Sequence, residues 1–351
     1  MARRFTRAVR AAEILGAVGA VAILAILFLP RLSGGGNAAP AAAVEQSDLN
    51  VAVVPAVDSA GFFVALHQGL FTARGLHVTF VPAVSSATVI NAQALDRPRD
   101  RIDISCGNYV SYIQAQENYD QGKRSSSTGD AMVAANLDIF AEGSVMEPGA
   151  QGLYVMPGSR VRTLADLEGR TIGVNAPGNI LYLLAASVLA DHGLNVSRVH
   201  FAYYPLPQMA AMLKAGKIAA AVLPEPFASQ AEQSMGIALV ADLDQGATAA
   251  FPVQGCAVTR QWAASHPKTL AAFRAAFEQG QEIADASRSS VEQALEALPA
   301  PLGVTKVTAA LMALDSYPVG PVDAVRIQRV ADVMRQFLSF PSFNASSMIS
   351  N

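Results

Sequence analysis

Residues 49–81 read LNVAVVPAVDSAGFFVALHQGLFTARGLHVTFV, and this stretch decides the fold class. Leu49–Pro55 and Gly75–Val81 are short apolar runs rich in β-branched residues, typical of strands. Between them, Phe62–Gly69 has the pattern of an amphipathic helix. A strand, a helix and a second strand in this order predict a parallel pair of strands that a helix covers.

The alternation continues along the chain. A helix is expected over Ser86–Leu95 with Ser85 as its N-cap, and a strand over Arg101–Cys106. After Thr163 it restarts, with helices between three expected strands at Thr171–Asn175, Val199–Tyr203 and Ala219–Leu223.

Two such units predict an α/β protein with two lobes and two mainly parallel sheets. Residues 132–142 and 249–259 have the pattern of extended crossings between the units. We therefore expect lobe one to comprise residues 48–148 and 254–351, and lobe two to comprise residues 149–253. A hinge would join them.

Composition excludes several classes of protein. The chain has 351 residues, of which 52% are hydrophobic and 15% charged, which excludes a disordered chain. Its net charge is −3; residues 1–47 carry +3, which leaves −6 for the remainder. No basic stripe interleaved with aromatic residues is present, so we expect no nucleic-acid partner.

The N-terminal residues have the pattern of a targeting segment. Four arginines between Arg3 and Arg10 precede the apolar run Ile14–Leu29, and a stretch rich in glycine, alanine and proline follows. This order predicts a signal peptide or an N-terminal membrane anchor plus linker over residues 1–47. We therefore expect an extracytoplasmic protein, in the periplasm or at the cell surface, that is membrane-anchored or secreted.

Catalytic and metal-binding patterns are missing from the sequence. There is no Gly-x-Ser-x-Gly, and the two cysteines form no CxxC pair. The histidines are scattered without ligand spacing, at His67, His77, His192, His200 and His266. We expect no enzyme activity, no metal and no cofactor.

Four turns between a strand and a helix are the candidate binding elements. Helix N-termini present unpaired N–H groups, and the carboxyl ends of parallel strands face the ligand crevice. The alternative is that these turns only cap helices. The candidate ligand-binding residues are Asp58, Ser59, Phe62, Ser85, Ser86, Asn108, Tyr109, Asn175, Gly178, Asn179 and Glu225.

The charge of these turns bears on the ligand. Asp58 and Glu225 would repel a plain anion, and no arginine or lysine lies within the turns. This favours a neutral or amine-bearing organic ligand, stacked as a heterocycle on Phe62, Tyr109 or Tyr203. Phe63 and Tyr112 are expected in the core.

Several short motifs resemble one known family. FFVALHQGLF at residues 62–71 with GLHV at 75–78 resembles the opening of the nitrate/sulfonate/taurine and thiamine-precursor (pyrimidine) binding family of ABC importers. LADLEG at 164–169 resembles the start of its second lobe, and PEPF at 224–227 resembles its x-E-P-F turn. Residues 327–332 resemble its C-terminal helix.

The resemblance implies a periplasmic-binding-protein type II fold and a monomeric solute-binding component of an ABC importer. It would hold a small organic solute between the lobes by hinge closure and deliver it to an ABC permease in the membrane. The implied solute is a sulfonate, taurine, nitrate or a pyrimidine or vitamin precursor. Two alternatives stay open, an enzyme of the same fold acting on a pyrimidine precursor and a membrane-tethered ligand sensor.

The resemblance also implies a position for the cysteines. In the type II strand order, the strand returning to lobe one, which should contain Cys256, lies beside the strand that ends at Cys106. The two sulfurs should therefore be close, and both a disulfide and two buried thiols remain open.

Overall fold

The computed structural model describes residues 43–95, 101–123 and 134–349. The expected signal peptide or membrane anchor lies outside these residues, apart from the end of its linker. Within the described ranges, no helix has both the length and the apolar character needed to cross a membrane.

The first sheet has five strands, and its second-to-last strand is reversed. In spatial order the strands are β2 (His77–Pro82), β1 (Asp48–Val53), β3 (Ile104–Asn108), β10 (Pro252–Thr259) and β4 (Leu137–Val145). The strand β10 runs antiparallel to both of its neighbours, β3 and β4, whereas β1 pairs in parallel with β2 and β3.

The second sheet repeats this arrangement. In spatial order the strands are β7 (His200–Tyr203), β6 (Thr171–Val174), β8 (Ala220–Pro224), β5 (Gln151–Val155) and β9 (Ala238–Asp242). The reversed strand is β5, which runs antiparallel to β8 and β9, whereas β6 pairs in parallel with β7 and β8. In each sheet the reversed strand is the one that arrives from the other sheet.

Helices cover both sheets, which confirms the expected α/β class with two lobes. They are α1 (Ala60–His67), α2 (Ser86–Leu95), α3 (Tyr109–Asp120), α4 (Ile180–Asp191), α5 (Leu206–Lys214), α6 (Phe227–Met235), α7 (Arg260–Ser265), α8 (Pro267–Ala286), α9 (Arg288–Glu296), α10 (Lys306–Leu311) and α11 (Ala324–Phe337). The first lobe is the first sheet with the helices that pack on it, and the second lobe is the second sheet with its own.

The first helix differs from its prediction. An amphipathic helix was expected at residues 62–69, but every residue of α1 from Ala60 to Ala65 is buried. The helix packs against α8 and α9. Gly61 and Gly280 let α1 and α8 approach closely, because an added Cβ at either position would collide with the other helix.

The last long helix joins the two lobes. The buried face of α11 packs on α3 of the first lobe and on α4 of the second lobe. The Arg329 guanidinium donates hydrogen bonds to the carbonyl oxygens of Ala247 and Ala250, at 3.0 and 2.9 Å, just before β10 begins. The chain is therefore held at the crossing where it returns to the first sheet.

The two cysteines are bonded. Cys106 on β3 and Cys256 on β10 stand directly opposite each other in the antiparallel pair, with their Cα atoms 4.1 Å apart. The prediction that the sulfurs are close is confirmed, and of the two alternatives the structure shows the disulfide. The residues between the two cysteines include the whole second sheet.

We expect the disulfide to contribute strongly to stability, because it closes a loop with a sequence separation of 150 residues. A loop of that size corresponds to a loss of about 2–5 kcal/mol in the free energy of unfolding when the bridge is removed. Urea unfolding of the double variant Cys106→Ala/Cys256→Ala measures this loss. The wild-type protein unfolded in reductant is the control and should match the variant. Two reactive thiols in the unfolded, unreduced protein would contradict the bridge.

Candidate ligand-binding cleft

A cavity of about 30 Å³ lies between the two lobes. From the first lobe it is lined by Val54, Ala56, Asp58, Ser86, Gly107, Asn108 and Gln254, and from the second by Gln151, Asn175, Ile180, Leu181, Leu206 and Pro224. We call it the cleft cavity. Its volume is sufficient for one or two water molecules.

The strand order explains why these residues meet. Strands β1 and β3 end at the cavity in the first lobe, and β6 and β8 end there in the second. Parallel strands present their carboxyl ends at one edge of a sheet, and here the two edges face each other. Helices α3 and α4 begin at the same edges.

Ser86 and Asn108 form a closed network on the first wall. The Ser86 hydroxyl oxygen accepts hydrogen bonds from the Asn108 backbone amide and side-chain Nδ2, at 2.9 and 2.8 Å. The Asn108 Oδ1 accepts from the Ser111 amide at 2.8 Å and so caps α3. Gly107 is required here because an added Cβ would lie 2.6 Å from the Ser86 Oγ.

Asp58 lies on the short turn Val57–Ser59, between β1 and α1. Its Oδ1 accepts a hydrogen bond from the Ser59 hydroxyl at 3.1 Å, and its backbone carbonyl accepts one from the Gln254 Nε2. Burial in the cleft raises the pKa of Asp58 to about 6, since the carboxylate loses hydration that the Ser59 hydrogen bonds only partly replace.

The second wall is built from the turn before α4. The Asn179 Nδ2 donates to the Asn175 Oδ1 at 2.7 Å, and the Asn179 Oδ1 caps the helix by accepting from the Leu181 amide at 3.0 Å. Gly178 has a φ of +59°, the left-handed region that glycine adopts without strain.

Two hydrogen bonds cross directly from one wall to the other. The Gln114 Nε2, on α3, donates to the Gly178 carbonyl oxygen at 2.7 Å. The Val57 amide donates to the Glu225 carbonyl oxygen at 3.0 Å. The two lobes are therefore in contact at the turn before α4 and at the turn that carries Asp58.

The structure brings only some of the predicted residues to the cleft cavity. Asp58, Ser86, Asn108 and Asn175 line it. Ser59, Gly178 and Asn179 lie directly behind this lining, through the hydrogen bonds given above. Ser85 is the N-cap of α2, as expected, because its Oγ accepts from the Thr88 amide at 3.4 Å.

Phe62, Tyr109 and Glu225 lie away from the cavity. Phe62 packs in the aromatic core of the first lobe, with its ring centroid 5.4 Å from Phe63 and 5.6 Å from Phe71. Tyr109 is buried beside Gly255, where an added Cβ would meet its hydroxyl.

The Glu225 carboxylate makes hydrogen bonds within the second lobe. It accepts from the Ser229 hydroxyl at 2.7 Å and from the Ser229 amide at 3.0 Å. Burial raises the pKa of this carboxyl. Phe63 and Tyr112 are buried, which confirms their expected place in the core.

Two glutamines that line the cleft cavity were not predicted from the sequence. Gln151 begins β5 and Gln254 lies in β10, so both stand on the reversed strands. The sequence signal was a polar residue within an apolar run. Gln254 lies in a segment interpreted only as a crossing between the lobes, and Gln151 was assigned to no element. Tertiary pairing places both residues on interior strands of the sheets.

A larger groove of about 310 Å³ lies on the outer side of the first lobe. Its lining is almost entirely apolar and includes Phe63, Phe80, Leu298 and Pro301. It touches only the first lobe, so we assign the candidate binding site to the smaller cleft cavity, which both lobes line.

We expect Asp58→Asn to stabilise the ligand-free protein at neutral pH. The carboxyl has a pKa of about 6 when folded, against about 3.9 in an unfolded chain. The folded state therefore holds the proton more tightly, and wild-type stability falls as pH rises from about 4 to 6. The uncharged amide escapes this cost.

Urea unfolding at pH 4 and pH 7.5 tests the expectation. The variant should match the wild type at pH 4 and exceed it by up to about 3 kcal/mol at pH 7.5. Asp332→Asn, on the exposed face of α11, should change neither value. An equal difference at both pH values would show that the effect is not the carboxyl charge.

The chain is similar in sequence to a known transport protein. The chain is 28% identical over 243 residues to the bicarbonate transport ATP-binding protein CmpC of Synechocystis sp., a match that covers 66% of this chain. The chain spans only 34% of that protein's length.

Solved structures share the architecture over most of the chain. The alkanesulfonate-binding protein SsuA of Xanthomonas axonopodis pv. citri, bound to MOPS, superposes with a TM-score of 0.67 at 19% identity, covering 88% of this chain and 99% of that one. The desulfurization enzyme DSZB superposes with a TM-score of 0.59 at 16% identity, covering 86% of this chain and 96% of that one. The periplasmic-binding-protein fold is thereby confirmed.

The family itself is shown by sequence. The model of the NMT1-like family matches residues 42–298, which include both sheets and all four predicted binding turns. The match confirms the resemblance inferred from the short motifs at residues 62–78, 164–169 and 224–227. This chain belongs to the NMT1-like family.

Proposed function

We propose that this protein is the extracytoplasmic solute-binding component of an ABC importer and that it captures a small organic solute in the cleft cavity. The observation that carries the proposal is the meeting of strand ends from both lobes at one cavity, to which each lobe contributes polar side chains. Such a site encloses a solute on two sides, and each lobe supplies part of the lining.

Closure of the lobes is the proposed means of capture. A cavity of about 30 Å³ is too small for a sulfonate or a pyrimidine, so the lobes must separate to admit one. The walls are joined at the turns by the two hydrogen bonds at Gly178 and Glu225, contacts that a modest opening would break. Hinge closure around a ligand is the usual motion of two-lobed binding proteins.

The proposed hinge comprises the crossings from β4 to β5 and from β9 to β10. This assigns residues 48–148 and 254–351 to lobe one and residues 149–253 to lobe two. The Arg329 hydrogen bonds beside the second crossing support it, because they hold the hinge side of the molecule while the cleft side opens.

Two observations support a place outside the cytoplasm. The Cys106–Cys256 disulfide is of the kind that persists in oxidising compartments. The basic and apolar start of the sequence is suited to export. The named roles of SsuA and CmpC support delivery of the solute to a membrane permease, and no cofactor is needed for that role.

A thermal-shift screen tests the proposed function. A solute bound only by the folded protein adds about 2.7 kcal/mol at a hundredfold excess over its Kd, so Tm should rise by several degrees. The panel should contain nitrate, bicarbonate, alkanesulfonates, taurine and pyrimidines with amine or hydroxyl substituents. An unchanged Tm with every compound would overturn the proposal.

The hydrogen bond between Gln114 and Gly178 can be tested separately. Gln114→Leu removes the hydrogen bond to Gly178, which forms only when the lobes are together. Affinity for whichever compound shifts Tm should fall about fivefold, equivalent to ~1 kcal/mol, with the ligand-free Tm unchanged. Asp120→Asn, exposed on the same helix, is the matched control. Equal affinities of Gln114→Leu and wild type would exclude Gln114 from closure.

A further inference from the structure

Among the described residues, the one ionisable side chain that lines the cleft cavity is the carboxyl of Asp58. This described lining includes no lysine, arginine or histidine. The helix N-termini at its walls are already capped by Asn108 and Asn179. The backbone amides that would attract an anion are thus partly occupied, whereas a carboxylate faces the cavity.

The side-chain carbonyl oxygen of Gln151 is a hydrogen-bond acceptor to which no donor within the described ranges is bonded. Its side chain lines the cavity and is only 2% exposed, and its Oε1 has no hydrogen-bond partner among the described residues. A buried carbonyl oxygen without a partner is unfavourable, so a ligand N–H at this position would satisfy it. The unpaired atom therefore indicates a ligand that donates hydrogen bonds.

A second carboxyl lies behind Asp58. Asp315 is 5% exposed and precedes Ser316, which bridges to Val145 at the end of β4. The next residue, Tyr317, donates its hydroxyl to the Val57 carbonyl oxygen at 2.9 Å, and this contact brings the segment against the turn that carries Asp58.

Asp315 has no neutralising partner in the described part of the chain. The Ser144 hydroxyl and the Glu147 amide lie near its carboxyl but outside hydrogen-bond geometry, and both oxygens are unpartnered. Burial, and after it the negative charge of Asp58, hold the pKa of Asp315 well above its usual range, and Glu147 acts in the same direction. The surroundings of Asp58 are therefore acidic on the side away from the cavity as well.

We propose, on the basis of the solute-binding role above, that the cleft selects a small solute that carries a primary ammonium group. Asp58 is the counter-ion of that group, and the Gln151 carbonyl oxygen accepts one of its N–H bonds. A plain anion would meet a carboxylate and an unpaired acceptor, so the selectivity differs from that of the alkanesulfonate and bicarbonate proteins compared above.

Three pairs of compounds that differ only by amine against hydroxyl test the inference. They are taurine and isethionate, β-alanine and 3-hydroxypropionate, and the 5-aminomethyl and 5-hydroxymethyl forms of 4-amino-2-methylpyrimidine. Calorimetric titration at pH 7.5 should show that an amine binds at least tenfold more tightly than its hydroxyl partner.

Asp58→Asn is the decisive variant, because it removes the charge and keeps the shape. It should weaken binding of the amine at least tenfold and leave the hydroxyl partner within twofold. Asp315→Asn, which leaves the cavity lining unchanged, should alter the affinity for the amine less than Asp58→Asn does, and Asp332→Asn should have no effect. The raised stability expected of Asp58→Asn at this pH ensures that a loss of binding is not a loss of fold.

The possible failures are distinguishable. If the hydroxyl partners, nitrate or bicarbonate bind as tightly as the amines, or if Asp58→Asn strengthens binding of an anion, the inference is overturned while the solute-binding function stands. If none of these compounds binds, both the inference and the proposed function are overturned. An amine that binds equally to wild type and Asp58→Asn would also overturn the inference.

Discussion

The pairing of β10 between β3 and β4 is the constraint on which the rest of the structure depends. Buried strands must satisfy their backbone N–H and C=O groups, so the chain returning from the second lobe has to complete the centre of the first sheet. This one strand places Cys256 opposite Cys106 and carries Gln254 to the turn of Asp58. The second lobe is consequently attached through two neighbouring strands of one sheet, β4 and β10.

The cleft shows how helix termini are used in this protein. The four turns were expected to offer backbone amides to a ligand, but Asn108 and Asn179 each already bond one such amide, that of Ser111 in α3 and that of Leu181 in α4. Capping stabilises the helices and at the same time removes donors from the cavity. Among the side chains that line the cavity, Asp58 offers a carboxylate to a solute and Gln151 offers an unpaired carbonyl oxygen. The character of the site is thus set by side chains more than by helix ends.

Much of the fold was predictable from local patterns, and the limits have physical causes. Strand and helix periodicity, the Ser85 cap and the neighbouring cysteines followed from the sequence and from the family motifs. Phe62 was predicted to contact the ligand but lies in the core. Because α1 is buried on nearly every side, hydrophobic periodicity cannot distinguish its core face from a face on the cleft. Gln151 and Gln254 were missed because their strands are completed by residues about 70 to 150 positions away. Asp315 follows a short helix near the C-terminus, and only the Tyr317 contact with Val57 reveals that it faces Asp58.

The position of the disulfide has a consequence for the integrity of the molecule. The bridge joins two strands of the same lobe, and the chain between them makes the whole excursion through the second lobe. A protease that cuts any exposed loop of that excursion divides the polypeptide but releases neither piece, because both remain covalently attached at the central strands of the first sheet. In a compartment that contains proteases and does not repair cut chains, a molecule cleaved in this way keeps its two fragments linked and correctly placed.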